Sequence, residues 1–438
     1  MVNLALNKLL VPIRRKENWL AGCLLAICSF GYPIAGIISA FMNWPSQYTS
    51  IPFRMGVATF ASVLLLQNWR NRSESIWQYI FFVFLAFYTL RLAHNVFAGF
   101  AGSEKELLLF LSTSVLPSFA LLKINIERVE PLVHTTLISL TAVIVIAIMS
   151  GEYLGWFGVN GLTFTGRMHL TTVNPITLGH TAAALILMIV AWWLSHHRKF
   201  TLGHWFLLII GLGILSYTSS RGVFLALLIP LVIIMLTSPI KQTSSAKRCA
   251  LPASIFAITI ILFWFPLPMD KLIKSSSLQY FANDTSDISK EKLNIFLKNH
   301  LDRIDEHLQD RRELTDESIT TRLAMFKSSF LVFINNPIWG GSNWIANTGH
   351  YPHNLPLEAF QNLGIVGGGI LIVLLLKCCY VAWFRLKEDK YVISLLFFQA
   401  LILGQFSGSL YGNAQLWTTM AILLTTDGNF SIKRVDTS

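Results

Sequence analysis

The chain has 438 residues, 53% of them hydrophobic and only 13% charged, with a formal net charge of +11. Soluble domains carry nearer a quarter charged residues, so with a mean hydropathy of +0.55 a soluble globular protein is excluded. The basic excess follows membrane topology, as shown below, and gives no support for nucleic-acid binding.

Taken in chain order, apolar stretches long enough to cross a hydrocarbon core of about 30 Å are predicted near 18–42, 51–68, 76–99, 105–123, 131–150, 176–195, 203–219, 222–238, 249–268, 355–376, 391–408 and 413–427. The expected fold class is therefore an all-α integral membrane protein with about twelve transmembrane helices. No small-residue cleavage site follows the first span, which reads as a retained anchor. An even number of spans puts both termini on one side. Segments on that side carry Arg14, Arg15, Arg70, Arg72, Lys123, Arg128, Arg198, Lys247, Arg248, Lys377, Arg385 and Lys433, whereas the short loops opposite hold Lys105, Arg167 and Arg221. The positive-inside rule then makes both termini cytoplasmic. Cys23, Cys28, Cys249, Cys378 and Cys379 lie in spans or on the cytoplasmic side, and their spacing indicates neither a disulfide framework nor a metal site.

Three regions follow: spans 1–9 with short loops (1–268), a large outer loop (269–354), and spans 10–12 with a cytoplasmic C-terminus (355–438). The outer loop holds nearly half of the chain's acidic residues. Within 289–315, Leu293, Leu297, Leu301, Ile304 and Leu308 form one apolar stripe at helical spacing. The stripe fits a solvated helix resting on the embedded body; a glycan-binding face is the other reading. A second helix is expected from about Asp316 or Ser318 and must stop before Asn336-Pro337, because the residue preceding proline resists helical geometry.

Chemistry-bearing residues gather on the outer side. Arg221 sits in the tight turn of "YTSSRGVF", Arg167 in "TFTGRMHLTTVNPITLGH", and Arg322 at the start of the second loop helix. A single outward arginine is adequately explained by snorkelling or a loop ion pair. Three on one face, joined by His353, point to an anion site, since the guanidinium fork stays charged and grips phosphate oxygens in pairs. His353 reads either as a helix-start residue or as a base. Asn354 is a natural N-cap, and Glu358, one turn on, would be costly in a span without a partner. A hydrogen bond to a nearby histidine would supply one. His350 reads as a solvated loop histidine. Arg54, Arg91 and His94 could line a polar groove, though with no carboxylate apparent in neighbouring spans a proton relay is poorly supported.

His353-Asn354 followed by nine residues and Gly364-x-x-Gly367 resembles the histidine motif of the bacterial O-antigen ligase and polymerase superfamily. "TSSRGVFLALL" resembles that family's Ser-Arg-Gly turn, "TTRLAMFKSSFLVFINNPIWGGSNW" its arginine helix, and "GRMHLTTVNPITLG" its earlier outer-loop arginine segment. The similarity covers roughly 160–370 and includes the large loop between spans nine and ten. It implies an architecture similar to membrane-embedded (GT-C-like) glycosyltransferases, in the bacterial inner membrane. It further implies transfer of a glycan from an undecaprenyl-diphosphate carrier to an acceptor hydroxyl at the periplasmic face, without metal or other cofactor. Arg221 and Arg322, helped by Arg167, would clamp the diphosphate, His353 would act as general base, and Asn354 and Glu358 would serve substrate binding. A repeat-unit polymerase is the expected member, working with a flippase and a chain-length regulator. A ligase onto lipid A-core is the alternative, and a membrane transporter the competing class.

Overall fold

A computed structural model of the protein describes residues 20–42, 44–45, 47–67, 75–100, 102–122, 175–196, 201–218, 220–237, 245–264, 322–341, 352–388 and 390–425. All regular structure among these residues is helical. Four helices are long and apolar enough to cross a membrane, Gln47–Gln67, Ile76–Phe97, Ile176–Leu194 and Leu355–Lys387, and six shorter apolar helices accompany them. The expected span at 131–150, the striped segment 289–315, Arg167 and His350 lie outside the described residues.

The first expected span is two helices, α1 (Leu20–Phe30) and α2 (Tyr32–Met42). They part at Gly31, where a β-carbon would lie 2.5 Å from the Ile27 carbonyl oxygen and 2.8 Å from the Phe53 ring. The missing side chain lets α3 (Gln47–Gln67) pack against the break. Helix α4 (Ile76–Phe97) opens on a capping box in which Ser75 and Gln78 satisfy each other's backbone amides. The fourth expected span is a composite: α5 (Ser103–Leu109), a π-helical turn (Phe110–Val115) and α6 (Leu116–Leu121). Such wide turns break the regular hydrogen-bond ladder and often mark functional sites.

Next come α7 (Pro175–His196), α8 (Leu202–Thr218), α9 (Arg221–Thr237) and α10 (Ser245–Trp264). Then follow α11 at 322–335, α12 (Leu355–Lys387), α13 (Val392–Leu403) and α14 (Ala414–Thr425). Helix α11 ends where Asn336-Pro337 required.

Two boundaries differ from expectation. Helix α12 does not stop near 376 but, after one break at Gly364, continues to Lys387, because no breaker follows its glycines. Helix α13 ends at Leu403 instead of 408, since Gly404–Asn413 folds as a series of turns.

The core combines aromatic packing with buried polar ties. Phe84 stacks on Trp417 with ring centroids 5.5 Å apart, and Phe110 meets Tyr88 edge-on at 4.8 Å. Gln399 donates to the His180 carbonyl at 2.9 Å, while Gln415 donates to the Leu396 carbonyl at 2.8 Å. These bonds fasten α13 to α7 and α14 in a medium where an unsatisfied amide is expensive.

Candidate active site at the start of the His353 helix

The site is organised by the start of α12. Asn354 caps the helix: its Oδ1 accepts from the Leu357 amide at 3.0 Å. Pro352 is buried on one side of His353, and the histidine itself is held at φ +54°, the only non-glycine positive φ among the described residues. Histidine visits the left-handed region more readily than most residues, yet such a conformation persists only where the surroundings impose it. The His353 side chain is half-buried, with Nδ1 on its buried side.

Two pieces of irregular chain impose that geometry. The first is the Gly404–Asn413 turn between α13 and α14. Its Gly404 carbonyl accepts from the Leu355 amide at 3.2 Å, and Gln405 Oε1 accepts from Asn354 Nδ2 at 3.3 Å. The Leu410 amide donates to Glu358 Oε2 at 3.0 Å, and the Leu410 carbonyl receives Trp417 Nε1 at 2.7 Å. Glu358 is 0% exposed. Its carboxylate therefore ties α12 to this turn, with the Tyr88 hydroxyl beside it, where the sequence pointed to a histidine partner.

The second piece is the Asn336–Gly341 turn that follows α11. Helix α12 breaks at Gly364, with φ +64° and ψ −162°, a region essentially closed to side-chain-bearing residues. The break frees the Gln361 carbonyl and the Ile365 amide, which a regular helix would join to each other. Each finds a partner in the turn: the Gly341 amide donates to Gln361 O at 2.6 Å, and the Ile365 amide donates to Pro337 O at 2.7 Å. Gly340, at φ +73°, sits against the Asn362 and Leu363 backbone, and Gly364 sits against the Ile338 carbonyl. Phe333 of α11 packs edge-on against Phe360 at 5.5 Å. The Asn-Pro-x-x-Gly-Gly and Gly-x-x-Gly patterns are thus two halves of one backbone joint that fixes α11, and with it Arg322, against the His353 helix.

That joint carries a prediction. Gly364→Ala places a β-carbon in a glycine-only conformation and against the Ile338 carbonyl, so a loss of about 3 kcal/mol or more is expected. Gly369→Ala is the control, because nothing lies within 4 Å of its added carbon. Thermal unfolding in detergent should separate the two; equal stability would mean that the joint does not hold the helices.

Arg221 is the first residue of α9 and is exposed. Its neighbour Gly222 packs on Phe406, with 2.9 Å between that side chain and a built β-carbon, so the same Gly404–Asn413 turn supports both Arg221 and His353. Arg322 is exposed at the first described position of α11. Neither arginine makes an ion pair among the described residues. For Arg221 this matters, because the positive end of a helix repels a cation and attracts an anion. Both guanidinium groups are exposed, and α9 and α11 are each tied through an irregular turn to the helix that begins beside His353.

Residues 205–372 match a family model described as O-antigen ligase. That segment is similar to the O-antigen ligase family. With the helical, apolar fold, the match agrees with the resemblance to multi-pass membrane enzymes of ligase or polymerase type. No curated protein matches the chain. The matched segment runs from α8 into α12 and includes Arg221, Arg322, His353, Asn354 and Glu358. The Gly404–Asn413 turn lies beyond it, and the span-by-span sequence reading gave that turn no role. Its composition, "GQFSGSLYGN", was the available signal: glycine, serine and asparagine between two apolar runs mark turns.

Proposed function

We propose that this protein is an inner-membrane glycosyltransferase that moves an undecaprenyl-diphosphate-linked glycan to an acceptor hydroxyl at the periplasmic face, acting as a surface-polysaccharide repeat-unit polymerase. The observation that carries the reading is that two exposed arginines stand on helices α9 and α11, each tied to the His353 helix through its own irregular turn. The acceptor oxygen forms a bond to the anomeric carbon as the bond from that carbon to the diphosphate breaks. The electron pair leaves with undecaprenyl diphosphate. The hydroxyl proton passes to His353, whose class of side chain titrates near working pH. Arg221 and Arg322, with Arg167, neutralise the departing diphosphate and take the place of a metal ion. Asn354 and Glu358 shape the acceptor side, the first by setting the helix start and the second by holding Leu410.

The test uses purified protein in nanodiscs with undecaprenyl-diphosphate repeat units and excess chelator. Elongated lipid-linked glycan supports a polymerase, and transfer only to added lipid A-core makes the protein a ligase instead. No transfer to either acceptor rejects the glycosyltransferase reading, and activity lost on chelation rejects the arginine clamp.

Topology is tested separately. Reporter fusions at Thr243 and Glu388 are expected to be cytoplasmic and a fusion at Asp302 periplasmic. A cytoplasmic Asp302 would put Arg322 and Arg221 on opposite sides of the membrane and end the proposal.

A further inference from the structure

Gln405 stands in the turn after α13, outside the matched residues 205–372, and neither the arginine clamp nor the base makes use of it. Its bond to Asn354 is the middle link of a chain of three hydrogen bonds, all of one polarity. The Leu357 amide donates to Asn354 Oδ1 at 3.0 Å, Asn354 Nδ2 donates to Gln405 Oε1 at 3.3 Å, and Gln405 Nε2 donates to the Leu401 carbonyl at 3.1 Å. An amide side chain has one accepting end and one donating end, so the two backbone groups that terminate the chain fix both orientations. Leu357 takes the Asn354 oxygen for the helix cap, which turns Nδ2 away from the helix. Leu401 takes Gln405 Nε2, which leaves Oε1 as the acceptor that Nδ2 requires. The chain joins the first turn of α12 to the last turn of α13, and the bond from the Leu355 amide to the Gly404 carbonyl makes a second tie between the same segments.

The location of this chain matters more than its strength. Asn354 has extended backbone, φ −144° and ψ 113°, and His353 before it is held at φ +54°. Both residues precede the helical ladder, which therefore does not set the direction of either side chain. Capping α12 needs only Asn354 Oδ1. The Nδ2 bond is additional, and it anchors the residue next to His353 to a fixed part of α13. Without it, a small rotation at Asn354 swings the imidazole relative to the rest of the site. For a general base such a displacement is costly, since an error of about 1 Å in a reacting group can cost about 10²-fold in rate.

Building on the reading given under Proposed function, we infer that Gln405 is a positioning residue of the transfer reaction, acting through the Nδ2 end of Asn354 to hold His353 in register. Its contribution is to turnover: it touches neither substrate, and the donor's diphosphate is held elsewhere, by the arginines. Gln399 of α13 provides the contrast, because it also donates to a backbone carbonyl, that of His180, but ties α13 to α7 and leaves the start of α12 alone.

The experiment uses the full chain in nanodiscs with undecaprenyl-diphosphate repeat unit as donor, and with lipid-linked repeat unit or lipid A-core as acceptor; kcat, donor Kd and thermal unfolding are measured for each variant. Gln405→Leu keeps the bulk and removes both polar ends. Asn354→Asp keeps the cap, since aspartate serves an N-cap as well as asparagine, but sets an oxygen against Gln405 Oε1. Each is expected to lower kcat about 10- to 100-fold with donor Kd unchanged within about twofold. Gln405→Glu still accepts from Asn354 Nδ2 and should recover most of the loss. The double variant Asn354→Asp/Gln405→Leu should be no slower than the slower single, because both changes break one bond. Gln399→Leu should lower thermal stability and leave kcat within about twofold. An unaltered kcat in Gln405→Leu overturns the assignment, as does a donor Kd that rises in parallel or a Gln399→Leu variant that loses kcat equally. Should Gln405→Leu fail to fold, Asn354→Asp and Gln405→Glu decide between them: a full rate in the first, or no activity in the second, overturns it. Absence of transfer by the unaltered protein with both acceptors would instead reject the glycosyltransferase reading itself.

Discussion

Replacing His353 with alanine is expected to lower turnover by about 10²–10⁴-fold, the usual contribution of a positioned general base, while the lipid-linked donor still binds through the arginines. His353→Gln keeps a polar side chain of similar reach but takes up no proton at neutral pH, and is expected to be nearly as inactive. The backbone offers a sharper separation of base from scaffold. Because His353 is held at φ +54°, His353→Gly removes the β-carbon from a conformation that disfavours it, and the fold should be retained or slightly stabilised. Activity should fall as far as in the alanine variant. Loss of function with unimpaired thermal stability is what a catalytic residue held in strained backbone predicts. His350→Ala, outside the histidine motif, should leave turnover largely intact. A His353→Gln variant near the unaltered rate would reduce His353 to a helix-start residue.

The sequence carried the helical framework because hydropathy and the basic-residue pattern act over whole spans. It also singled out Arg221, Arg322 and His353 as candidates, because each stands where apolar or uncharged residues are the rule. What it did not carry is how these residues are held. The break at Gly364 depends on a turn more than twenty positions earlier, and glycine spacing on one helix reads equally well as ordinary close packing between helices. Only the paired bonds Gly341–Gln361 and Ile365–Pro337 show that the glycines admit backbone rather than side chains. Glu358 is a similar case. A carboxylate near the start of a span announces that it needs a partner, and the nearest histidine in sequence was the obvious choice. Its amide partner, Leu410, sits 52 residues away, in a turn concealed at the junction of two predicted spans. Long-range pairings made through backbone atoms leave little imprint on composition or periodicity.

The arginines give the second large effect. Arg221→Lys and Arg322→Lys preserve charge and outward position, yet each is expected to reduce glycan transfer about 10²–10³-fold, the range seen when one preorganised donor to a developing anion is removed. The reason is geometric. Guanidinium presents parallel N–H groups that span two phosphate oxygens, whereas ammonium is a strongly hydrated point charge on a flexible stem. Arg221 is further constrained by Gly222 packing on Phe406, so its replacement cannot shift the helix start to compensate. Alanine at either position should weaken donor binding as well as turnover, because the charge is lost with the fork. Lys327, exposed on the same helix as Arg322, supplies the control: Lys327→Ala removes a positive charge from α11 without touching the clamp and should leave transfer within about twofold, as for surface substitutions generally. The measurement is transfer rate and donor affinity at equal protein level in nanodiscs. If both lysine variants keep the unaltered rate, the arginines serve topology alone; if Lys327→Ala is as damaging as Arg322→Lys, the helix contributes a diffuse positive field and no bidentate grip on the diphosphate.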